Sequence, residues 1–124
     1  MKLVKILSVL LLIYTAAAGI LLEVPRLPIL NETIRVLYFH VPMWFTMIFL
    51  LLLSSVNAYK FISTKNIKYD LISYNYAHVG VYFGVLGIVT GMIWANYTWG
   101  TFWTNDPKLN GSAVGLLIYF GYFV

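Results

Sequence analysis

VGVYFGVLGIVTGMIWANYTWGTFWTNDPK, residues 79–108, decides what kind of protein this is. Its first part, residues 79–95, carries no charged side chain. That run approaches the about 20 residues a helix needs to cross ~30 Å of hydrocarbon. Gly80, Gly84, Gly87 and Gly91 fall at spacings of four, three and four, so they share one helix face. In lipid, such a small-residue stripe lets another helix approach closely, and the expected role is packing. The second part holds Trp94, Tyr97, Trp99, Phe102 and Trp103, then Asn105, Asp106, Pro107 and Lys108. Tryptophan and tyrosine favour membrane interfaces, which accounts for aromatics near Trp94. It accounts less well for Trp99, Phe102 and Trp103, which run on through a loop that also holds Gly100. Flat aromatic faces and a glycine suit the close approach of a planar, apolar ligand.

The rest of the chain is of the same kind. Of 124 residues, 61% are hydrophobic and 10% charged, against about 25% charged in soluble domains. The formal net charge is +4, but the basic residues are scattered between apolar runs and form no nucleic-acid-binding stripe. There is no cysteine, hence no disulfide or thiolate ligand from this chain. Further apolar runs cover residues 4–22, 41–59 and 112–124. A secretory signal is the rival reading of the first, with Lys2 and Lys5 as its basic start and Ala16 to Ala18 as a cleavage site. The run exceeds the roughly 7–15 residues of a signal core and continues past the alanines. The last run would span only about 20 Å, too short to cross. The expected fold is therefore all-α: a polytopic transmembrane bundle, one membrane domain over residues 1–124. It has three full helices and the start of a fourth, and the chain is expected to be part of a longer one.

Between these runs, residues 23–40, 60–78 and 96–111 are expected to be loops. Lys2, Lys5, Lys60, Lys65 and Lys68 lie on one side of such a topology, and Arg26, Arg35 and Lys108 on the other. The positive-inside rule places the N-terminus in the cytoplasm, and the aromatic loop and His40 outside. Pro42 is expected in the first turn of the second helix, with His40 just before it at the membrane surface.

His40 is either an interfacial histidine or an axial ligand to haem iron. Its place beside Trp44, on the side of the aromatic loop, favours the ligand. His78 falls at the opposite end of antiparallel segments, about 30 Å away, so the two cannot share one iron. Arg35 and Lys108 could offer charge-assisted bonds to carboxylates such as propionates. Asp106 has no carboxylate partner in its loop. No catalytic triad or phosphate loop is present, and nothing argues for hydrolysis or phosphoryl transfer.

WGTFWTND, residues 99–106, resembles the tryptophan-rich W-G-x-x-W-x-W-D signature of the cytochrome c assembly, haem-handling membrane proteins. RVLYFHVPMW, residues 35–44, is similar to the H-V-P segment of their haem exporter protein C branch. Thr90-Gly91 and Trp94 also look familial. Asn105 stands where the signature has its third tryptophan. The resemblance implies about six helices in a full-length protein, of which this chain is the N-terminal part. It also implies haem b held at the outer face of a bacterial cytoplasmic membrane. Trp94, Trp99, Phe102 and Trp103 would form the platform, with Gly100 and Asp106 shaping the loop. His40 would be one iron ligand, and the second would lie beyond residue 124. A haem chaperone or apocytochrome c assembly machinery would receive the haem, with other membrane subunits and the lipid bilayer as further partners. Such a protein is a carrier, not an enzyme. Two rival readings are a small structural subunit with interfacial tryptophans, and a quinone-binding or redox subunit.

Overall fold

A computed structural model describes residues 2–124. Among them every regular element is helical: α1 (Lys2–Leu21), a 3-10 segment (Asn31–Val36), α2 (Leu37–Thr64), α3 (Ile67–Trp99) and α4 (Pro107–Phe123). Lys2–Leu21, Asn31–Thr64 and Ile67–Trp99 are each long and apolar enough to cross a membrane. Leu10, Leu12, Phe45, Phe49, Leu52, Tyr82 and Ile118 all point outward. The buried residues are mostly small: Ala77, Gly80, Gly84 and Ala95 on α3, with Val81 and Leu116 among the larger ones. Large apolar surfaces outside and small residues inside are the packing logic of helices in lipid, not in water.

The helices outrun the apolar segments that mark them. With 28 residues in α2 and 33 in α3, they extend about 42 and 50 Å at ~1.5 Å per residue. The expected loop over 60–78 is thus mostly helix. α2 continues to Thr64, and only Lys65 and Asn66 separate it from α3. Lys65 takes a left-handed conformation (φ 54°) and donates its N–H to Phe61, closing α2. The Asn66 side chain caps α3 by accepting from Lys68 N–H at 3.1 Å. Lys60, Lys68 and Asp70 are charged residues within the helices, not markers of where the helices stop.

The other two expected loops also shorten. Pro42 lies inside α2, five residues beyond Leu37 rather than in a first turn, because the 3-10 segment leads directly into the helix. His40 is accordingly a helical residue. α3 runs through Trp94 and Tyr97 to Trp99, where Gly100 (φ 74°) ends it. α4 starts at Pro107, not at residue 112. Asp106 is its N-cap: one carboxylate oxygen accepts from Lys108 N–H (2.8 Å) and Leu109 N–H (3.3 Å). Proline at the first helical position completes a standard helix start.

α2 and α3 pack antiparallel along the glycine stripe. A Cβ on Gly80 would lie 2.9 Å from Leu51 Cδ2, and one on Gly84 would lie 2.8 Å from Met47 Sδ and 2.6 Å from Leu116 Cδ2. Only a missing side chain admits these neighbours. Below them, Ser54 and Ser73 are buried, and each hydroxyl donates to the other's carbonyl at 2.9 Å. α1 lies antiparallel to α2 through Gly19, which packs on Tyr38 and Phe39.

Candidate functional site

The upper end of the same seam brings chemistry to the stripe. His40, Trp44, Met47 and Leu51 repeat the spacing of four, three and four, and they meet Gly91, Gly87, Gly84 and Gly80 in reverse order. A Cβ on Gly91 would lie 2.8 Å from His40 Cε1, and one on Gly87 3.1 Å from the Trp44 ring. The imidazole and the indole therefore rest on bare backbone. Both ring nitrogens of His40 are engaged: Nε2 accepts from Trp44 Nε1–H at 3.0 Å, and Nδ1 pairs with Thr90 Oγ1 at 3.0 Å. The His40 ring centroid lies 6.0 Å from that of Trp44 and 6.4 Å from that of Trp94.

Around this corner lies a cavity of about 470 Å³. His40, Trp44, Trp94 and Trp99 line it with Gly87 and Gly91, while Asp106 and Lys108 come from the start of α4. Its volume is that of a small-molecule site. The indole N–H of Trp94 is one of two buried side-chain polar atoms without a hydrogen-bond partner among the described residues; Thr104 Oγ1 is the other. An unpaired buried donor in a cavity wall is costly without a ligand acceptor.

Residues 1–124 match the family model of Heme exporter protein C over the whole chain. The chain belongs to the heme exporter protein C family. A cytochrome c biosynthesis ccmC-like mitochondrial protein of Marchantia polymorpha is 31% identical over 91 residues, covering 73% of this chain and 40% of that protein. Its Arabidopsis thaliana counterpart is 33% identical over 87 residues, or 70% and 34%. The cytochrome c biogenesis protein CcsA of Prochlorococcus marinus (strain MIT 9515) is 41% identical over 59 residues, or 48% and 19%. The chain thus spans well under half the length of these relatives. No solved structure matches it.

Within this heme exporter protein C family chain, the expected site residues divide into two groups. His40, Trp94, Trp99, Asp106 and Lys108 share the cavity. Phe102, Trp103, Gly100 and Arg35 do not line it. Phe102 is exposed, and Gly100 acts as the left-handed C-cap of α3. Trp103 donates its indole N–H to Asn110 Oδ1 (3.2 Å), and Asn110 Nδ2 donates to Asn105 Oδ1 (2.7 Å). Asn105, in place of a signature tryptophan, thus helps tie the loop to α4. Arg35 bonds Glu32 (2.7 Å) and the carbonyls of Gly19 and Leu22, fastening the end of α1.

Two members were missed from sequence. Trp44 sits one turn after His40, a spacing at which helical side chains meet. Thr90 precedes the last glycine of the stripe, and the matched spacing on α2 would have placed it beside His40. His78 lies well inside α3 rather than at its end. It packs among Tyr74, Tyr82 and Phe123. Twelve residues before Thr90, it is about 18 Å along the axis from the His40 level, nearer than the full bilayer but too far to share a ligand.

Proposed function

We propose that this chain holds haem as cargo in the cavity between α2, α3 and the start of α4, and passes it on for cytochrome c maturation. One observation carries the reading: an imidazole, three indoles and a cation from distant parts of the chain line one cavity. Flat indole and glycine surfaces suit a macrocycle. Haem supplies four ring nitrogens to its own iron, so a single imidazole suffices as the protein's ligand on one face. Among the described residues no cluster of three His, Cys, Asp or Glu gathers for a bare ion. His40 is the iron ligand, and Trp44, Trp94 and Trp99 bound the macrocycle. Lys108 is the propionate partner. Arg35, held by Glu32 and two carbonyls, is a weaker candidate for that role. Trp103 and Phe102, at the exposed loop, form an outer lip that would meet a haem-receiving protein.

The finer assignments follow the same line. The cargo is haem b, and the acceptor is a haem chaperone or apocytochrome c assembly machinery, met with other membrane subunits. The chain acts as a carrier, not as a catalyst. The turn lysines Lys60, Lys65 and Lys68 mark the cytoplasmic side of a bacterial inner membrane, with the cavity outside. The test is to purify the full chain in mild detergent, add hemin and record the visible spectrum, with His40→Ala alongside. A Soret band lost or weakened at least about tenfold in the variant is expected. No band in the unmodified chain would overturn the reading; an equal band in the variant would remove His40 as ligand.

A further inference from the structure

The bonds at His40 admit one arrangement of protons. An indole N–H can only donate, so Trp44 gives its proton to Nε2 across 3.0 Å. Nε2 is therefore the unprotonated nitrogen, and the ring proton sits on Nδ1. Nδ1–H donates to Thr90 Oγ1 at 3.0 Å. Thr90 in turn donates its hydroxyl proton to the Leu86 carbonyl at 2.8 Å, one turn back on α3. The chain runs in one direction, from indole to backbone, and each donor finds an acceptor.

Thr90 thus holds His40 in the tautomer whose Nε2 carries the lone pair a metal needs. Trp44 occupies that same lone pair. We propose that Trp44 is a latch on the ligating nitrogen of His40 and that Thr90 is its positioning residue: iron reaches Nε2 only when the indole N–H lets go. This rests on the haem reading above. The fold gives the indole somewhere to move. Trp44 lines the cavity beside His40 on one side and a second cavity of about 410 Å³, between α2 and α4, on the other. Gly87 beneath it presents no side chain to obstruct a rotation.

The latch makes loading competitive. Each haem must displace one hydrogen bond, so affinity is lower by the net worth of that bond, about two- to tenfold. Trp44→Phe keeps the ring and removes the N–H. Thr90→Val keeps the shape and removes the acceptor; Thr90→Ser restores it. Two readouts separate the latch from the haem reading. In haem-free full chain, diethyl pyrocarbonate modifies unprotonated imidazole nitrogen, and mass spectrometry reports His40 and His78 separately. Trp44→Phe is expected to speed labelling at His40 severalfold and leave His78 unchanged, which also shows the fold is intact. In hemin titrations, Trp44→Phe is expected to bind about two- to tenfold tighter. Thr90→Val should bind about tenfold weaker, with Thr90→Ser near the unmodified chain. Unchanged labelling of His40 together with unchanged or weaker hemin binding in Trp44→Phe would overturn the latch. If no variant binds hemin, the haem reading fails, while faster His40 labelling would still establish that the indole masks Nε2.

Discussion

The α2–α3 seam has two ends built to one spacing and put to different uses. At the end near the Lys65 turn, Leu51 packs on Gly80, and Ser54 and Ser73 satisfy each other's hydroxyls. At the opposite end, His40 packs on Gly91 and Trp44 on Gly87, and the polar groups open onto a cavity whose wall contains an unpaired indole N–H. Glycine serves both ends by letting backbones close in. The difference lies in what faces the glycine: aliphatic and reciprocally bonded groups make a lock, whereas an imidazole and an indole make a site.

The contrast can be broken at either end. The largest effect is expected from Gly91→Ala, whose new methyl would sit 2.8 Å from His40 Cε1. Displacing the imidazole should weaken hemin binding about 10- to 100-fold in a Soret titration, with helix content unchanged. Equal binding would mean that His40 does not depend on its glycine seat. At the turn-proximal end, Gly80→Val crowds Leu51 and should lower stability by about 1–3 kcal/mol in a detergent unfolding titration. Hemin affinity should hold there, and a matching loss of affinity would show that the two ends are not separable. Asp106→Ala removes the cap of α4. About 1 kcal/mol is expected at that helix end, seen as faster hydrogen exchange at the Lys108 and Leu109 amides. The smallest change is expected from Ser54→Ala, about 0.6 kcal/mol in the same unfolding titration, because Ser73 keeps its bond to the Ser54 carbonyl.

Hydropathy located the membrane helices but not their ends. Lys60 and Lys68 read as loop because a charge ends an apolar run, while the backbone hydrogen bonds run on through both residues. Asp106-Pro107 was a legible helix start, a capping carboxylate followed by proline, hidden by the aromatic residues before it. In the site, His40, Trp94 and Trp99 were legible because residue type and membrane side both pointed to them. Trp44 and Thr90 were not chosen, since their roles come from a cross-helix register. That register was nonetheless written twice, as the equal spacings of the glycines and of His40, Trp44, Met47 and Leu51. Arg35 could not be assigned from sequence, because its partners are the Gly19 and Leu22 carbonyls, and a carbonyl leaves no trace in residue type.

The two-residue turn at Lys65 and Asn66 bears on how the molecule is made. A connection that short keeps α2 and α3 neighbours from the moment both emerge, at minimal loop-closure entropy. Every atom of the Trp44–His40–Thr90 relay belongs to that hairpin. The relay therefore needs no residue of α4, which adds a roof to a floor that the hairpin lays by itself.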